Sequence, residues 1–188
     1  NWNIYAHDLT DLNKKLVLKN KIKNFFTGNL SNINERFHII SLNHVLEHLT
    51  QTFDIFKQLH NLLMPNRYLV LRLPNAKIVH TDLIMLDHCS HFTIESIRNL
   101  LKISGFKVHK ILNNINPIEL FVIAKKNNGM EKKIIKNSKK EVFNVINQLM
   151  WPAEICKKIK RDNSKKRLGL FGVGTSSFYT YAVMKKKI

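Results

Sequence analysis

The pattern of hydrophobic and polar positions over residues 36–108 reads strand, polar loop, helix, strand, polar loop, helix, strand. The first strand, FHIISL at 37–42, runs into NHVLEHL. Next, the spacing predicts a helix over 50–64, with Phe53, Phe56, Leu59 and Leu63 on one stripe and Leu62 broadening it. Thr50 can cap its start, and Pro65 forbids its continuation. A second strand, RYLVLRL at 67–73, runs into PNAKIVHTDLIMLDHCSHF. A second helix is expected over 93–104, capped by Thr93 and stopped by Gly105. Glu95 complements its dipole, while Ile94, Ile97, Leu100 and Leu101 face the core.

Outside this stretch the signals are shorter. Residues 3–7 predict a strand ending at Asp8, followed by a helix over 9–18 and a strand over 22–26 before the turn Thr27-Gly28-Asn29. Strands at 107–112 and 118–124 lie close enough to pair antiparallel, and Pro117 suits the opening of the second. Three segments follow: a domain at 1–125, a charged helical linker at 126–166 broken near Trp151-Pro152, and the start of a second Rossmann-like α/β unit at 167–188. That last segment holds LGLFGVGT, in which Gly172 and Gly174 can equally make a plain strand-to-helix turn. The fold class expected is α/β.

In open α/β sheets, ligands bind beyond the carboxyl ends of the strands. Asn43, His44, Glu47, His48, Asn75, His88 and His91 are all expected there.

Composition changes the picture little. The net charge of +18 in 188 residues comes mostly from Lys spread along the chain. No Arg patch interleaved with aromatics appears, so no specific nucleic-acid partner is expected. Two distant cysteines, Cys89 and Cys156, fit a reducing compartment and a cytoplasmic protein. No apolar run approaches a membrane span. His80, Asp82, Asp87, His88, Cys89 and His91 crowd one loop, but without a zinc-ligand spacing, so no metal site is expected.

Taken as a set, the strand ending in Asp8, HVLEHL, LLMPNRYLVLRLPN and HFTIESIRNLLKISGFKV resemble a known family. Residues 3–125 are similar to the C-terminal part of a class I S-adenosylmethionine-dependent methyltransferase domain, a Rossmann-like sheet. The resemblance implies that the family's first strand and glycine-rich cofactor loop precede residue 1. The sheet and cofactor pocket within this chain are therefore expected to be incomplete. The chain begins with Asn1 rather than Met, consistent with a missing start. The tail RLGLFGVGTSSFYTYAV resembles the opening of the C-terminal domain of sugar C-methyltransferases, and DHCSHFT resembles their EHxxYF segment.

The resemblance implies S-adenosylmethionine as cofactor and a small-molecule acceptor such as a nucleotide-linked sugar. It implies that Asp8 binds the cofactor ribose, although Asp8 could also cap the following helix. Asn29 and Leu30 would flank the adenine, or Asn29 could simply close the turn after Gly28. Asn43 and His44 would lie beside the sulfonium, with Glu47 and His48 ordering the loop. Asn75 would line the acceptor pocket. His88 matches the family's active-site His and is the leading general base, with His91 as its alternative or orienter. The alternative for His88 is a loop His that caps the next helix. A non-catalytic binding remnant and an O- or N-methyltransferase of another metabolite are the competing functions.

Overall fold

In the computed structural model the alternation of Leu69, Leu71 and Leu73 becomes one face of a long strand, β4 (Leu63–Pro74), with all three side chains fully buried. The structure describes residues 2–112, 115–127 and 129, with 147, 150, 153, 154, 156–158, 174, 177, 178 and 180–182 beyond them. The expected strand at 168 and almost all of the linker lie outside the described residues.

β4 pairs in parallel with β3 (Phe37–Asn43) and antiparallel with β6 (Glu119–Lys126), which pairs antiparallel with β5 (Phe106–Leu112). The sheet order is β3-β4-β6-β5. Leu71 sits opposite Val122 and Leu73 opposite Leu120, so the buried faces of β4 and β6 coincide. Helices α2 (Thr52–Leu62) and α3 (Ile94–Ile103) bring Phe56, Leu59, Ile97 and Leu101 to the core built on this face.

The sheet is partial. β1 (Tyr5–Asp8) and β2 (Asn24–Thr27) make a separate two-stranded parallel sheet, and among the described residues neither pairs with β3. The two sheets touch through rings: Tyr5 and Phe26 approach Phe37 at 5.4 and 6.3 Å between centroids, edge to face.

The capping signals for α3 hold in detail. Thr93 Oγ1 accepts from Ser96 N, and Ser96 Oγ accepts from Thr93 N, a reciprocal box that satisfies two end donors. Gly105 follows at φ +82°, and a Cβ there would come within 2.9 Å of the His60 ring. Only glycine fits that stop.

Other boundaries differ from expectation. α2 starts at Thr52 after Gln51, so Thr50 does not cap it. It ends at Leu62 because Leu63 already pairs with Phe37 of β3, and Pro65 lies inside the strand, where α-helix would be barred to it. The helix expected over 9–18 contracts to α1 (Lys14–Leu18). Leu9, Leu12 and Leu16 are exposed, so no buried stripe supports a longer helix against its nucleation cost.

Candidate functional site

The parallel register sets Asn43 beside Arg72, so the loops leaving β3 and β4 start side by side. Three bonds then join them. Ser90 N donates to Glu47 O at 3.0 Å, Ser90 Oγ to Leu49 O at 2.9 Å, and His48 Nδ1 to Asp87 O at 2.9 Å.

Asp82 is the hub of the second loop. It sits on a 3-10 turn, His80–Ile84, and is 2% exposed. One carboxylate oxygen, Oδ1, accepts from His88 Nδ1 at 2.6 Å, and the other, Oδ2, from His91 Nδ1 at 2.8 Å. Both rings therefore carry a proton on Nδ1 and turn Nε2 away from the carboxylate. The His91 side chain is 27% exposed and that of His88 11%. His88 also stands edge to face with His48, at 4.9 Å between ring centroids.

A second polar cluster closes the ends of β3, β4 and β6. His44, at φ +51°, directs Nδ1 to Glu47 Oε1 at 3.1 Å and Nε2 to Glu119 Oε1 at 2.9 Å. Arg72 grips Glu119 through Nε and Nη2, both at 3.0 Å, and Asn116 adds a third donor. Glu47 is 1% exposed, and among the described residues its Oε2 has no hydrogen-bond partner. Such an orphaned acceptor typically costs ~1–3 kcal/mol.

The remaining expected site residues separate into two places. Asp8 and Thr27 face each other across the parallel β1–β2 pair, so the loops carrying Asp8 and Asn29 adjoin, and Gly28 N donates to Asp8 O. Asp8 Oδ1 accepts from Leu9 N at 2.7 Å, in a bend rather than a helix cap. Asn29 Oδ1 accepts from Ser31 N and starts a 3-10 turn, while Leu30 packs against the main core. Asn43 is exposed at the end of β3. Asn75 is 4% exposed, and its Oδ1 accepts from Lys77 N to close the turn after β4.

The family model described as a methyltransferase domain matches residues 1–111, more than half of the chain. The chain belongs to that methyltransferase family. Solved structures agree on the fold. An S-adenosylmethionine-dependent methyltransferase from Mesorhizobium loti is 14% identical over 66% of this chain and 80% of its own, with a TM-score of 0.52. One from Listeria monocytogenes, described as putative, is 12% identical over 67% and 81%, at 0.53. A putative methyltransferase from Bacillus halodurans is 12% identical over 68% and 84%, at 0.56. No curated protein matches the chain.

S-adenosylmethionine is the cofactor of this methyltransferase, and the β1–β2 end offers it a fitting acceptor. Asp8 is half-buried, and the bond from Leu9 occupies Oδ1, leaving Oδ2 to accept from a ribose hydroxyl. Asn29 is oriented by Ser31 next to it. His44 differs, because both its ring nitrogens are engaged by carboxylates of the protein itself.

Two partners were missed in the sequence. Asp82 stood out only as one of a crowd of polar residues, since its offsets of six and nine from His88 and His91 follow no secondary-structure period. Glu119 lies 75 positions from His44, and no local signal joins them.

Burial pushes the Glu119 carboxyl up, but bonds from Arg72 and His44, the Arg72 charge and the Asn116 amide outweigh it. The net effect holds it below its ordinary 4.5. A depressed folded value means the stabilisation is complete above the unfolded value and disappears as pH falls through the folded one. Glu119→Gln should therefore lower the melting temperature at neutral pH. It should also flatten the loss of stability on acidification below about pH 4.5 relative to wild type. Parallel melting curves with unchanged acid sensitivity would show that the cluster contributes nothing.

Proposed function

We propose that this methyltransferase moves a methyl group from S-adenosylmethionine to a small-molecule acceptor, most simply a hydroxyl-rich one such as a nucleotide-linked sugar. The observation that carries the reading is Asp82, a buried carboxylate holding two imidazoles by the same nitrogen beyond the carboxyl end of β4. Such an anchor fixes the tautomer and supports the positive charge that forms when Nε2 takes a proton. Two rings presented in this way suit proton removal from an acceptor.

The sequence favoured His88 as base with His91 subsidiary. The shared anchor and the greater exposure of His91 support giving proton acceptance to His91, with His88 behind it. Neither orients the other, since each bonds Asp82 separately. When bound, S-adenosylmethionine supplies a methyl group on a sulfonium, open to in-line attack. The chain's residues then have three tasks: Asp8 and Asn29 bind the cofactor's nucleoside, Asp82 sets the histidines, and His91 receives the proton. The likeness of DHCSHFT to the sugar C-methyltransferase loop supports a sugar acceptor.

The +18 charge is read as a dispersed, solvated surface with no specific nucleic-acid role. Among the described residues, no helix is long and apolar enough to cross a membrane.

Calorimetric titration of S-adenosylmethionine into the native protein and its Asp8→Ala variant tests the cofactor part. Loss of a hydrogen bond to a charged acceptor should weaken binding by ~10- to 100-fold. Equal affinities would remove Asp8 from the site, and no methyl transfer to any nucleotide-sugar in a radiolabel assay would remove the acceptor class.

A further inference from the structure

Glu47, His48 and His88 each bring one potential ligand atom to within 4.8 Å of the other two. We propose that these three residues bind a divalent transition-metal ion of the zinc type. The inference goes beyond the methyl-transfer reading, and its test reads metal binding directly, so either can fail alone.

The three side chains already have the outer contacts of metal ligands. His88 donates Nδ1 to Asp82, and His48 donates Nδ1 to the Asp87 carbonyl. In both rings the remaining nitrogen is Nε2, with its lone pair available. A carboxylate or carbonyl on the far nitrogen is the usual partner of a metal-bound histidine, because it fixes the ring and raises its basicity. Glu47 is the independent observation. Its side chain is 2% exposed, Oε1 is held by His44, and Oε2 meets no donor among the described residues. A buried carboxylate oxygen without a donor needs a proton or a cation. The neighbouring pair of imidazoles offers the cation's other ligands.

The geometry requires a small contraction. Ligand atoms at ~2.0–2.2 Å from a tetrahedral ion sit roughly 3.4 Å apart. His48 has room to move, with 38% of its side chain exposed, whereas Glu47 and His88 are held. Two nitrogens and one oxygen favour zinc or cobalt over magnesium or calcium. Three protein ligands also leave a coordination position for water or for an oxygen of an acceptor, as catalytic rather than structural sites do.

The ligands come from two loops. Glu47 and His48 follow β3, and His88 follows β4, so the backbone bonds through Ser90 assemble the trio.

The experiment is a titration of the untagged, chelator-treated full chain with cobalt(II), followed by its visible d–d absorption, with zinc in competition. One equivalent should bind, and zinc should displace it. His48→Ala should weaken binding by more than 10-fold, and Asp82→Asn, acting through His88, by ~10- to 100-fold. His38→Ala, on the exposed side of β3, should change nothing. Since Glu47→Gln alters a buried residue, the exposed His48 variant is decisive, with circular dichroism confirming its fold. No stoichiometric binding overturns the proposal. So does binding that His38→Ala weakens as much as His48→Ala, which would mark scattered surface histidines as the ligands.

Discussion

His91→Ala in the native enzyme should lower turnover by ~100- to 10,000-fold, the usual cost of removing a general base, with little change in S-adenosylmethionine affinity. The side chain is the more exposed of the two imidazoles held by Asp82, and the nucleoside contacts proposed above, Asp8 and Asn29, lie at the end of the β1–β2 pair. Asp82→Asn should have a comparable effect. An amide cannot accept from His88 and His91 through both of its terminal atoms, so one ring at least loses its tautomer. The discriminating comparison is His88→Ala. If His91 is the base, His88→Ala should keep more turnover than His91→Ala, because His88 only stands behind it on Asp82. Wild-type turnover in His91→Ala, with loss in His88→Ala, would return the base to His88. Equal loss of cofactor binding in both variants would assign the pair a structural role.

Phe56→Ala should destabilise the fold by ~3–5 kcal/mol, a large part of the ~5–15 kcal/mol that holds a domain together. Phe56 is fully buried on α2 and meets the Phe106 ring edge to face at 6.0 Å. The His60 ring covers Phe106 at 5.3 Å, so the site has little slack with which to collapse around a cavity. For a chain of this size the melting temperature should fall by ~6–20 °C. Phe56→Leu should keep most of the stability, because the volume is largely conserved. Scanning calorimetry of the three proteins decides it. A drop in Phe56→Ala no larger than in Phe56→Leu would mean that α2 is not seated on the sheet as described.

The elements with strong local signals were legible in the chain. α3 follows from Thr93, its apolar stripe and Gly105, because capping and helical period act within a few residues. The leucines of β4 and the antiparallel return of β6 onto β5 follow from alternation and short connections. The family resemblance rested on this same series of strands and loops, and residues 1–111 bear it out. The partial sheet was also expected, as an implication of the family resemblance rather than of any local pattern.

What joins these elements at the site was decided elsewhere. Thr50 looked like a cap by its residue type, yet the pairing of Leu63 with Phe37 set where α2 gives way to β4. The exposed α1 shortened because Leu9 and Leu12 remain largely in solvent. Spacing within the single loop at 80–91 spoke against a metal, whereas the proposed ligands are drawn from two loops that only strand pairing brings together. Period, caps and turns are short-range and are written in neighbouring residues. The bonds of Asp82 to two histidines, of Glu119 to His44, and of Ser90 to Glu47 depend on where whole strands end in space. Only the tertiary fold sets those positions.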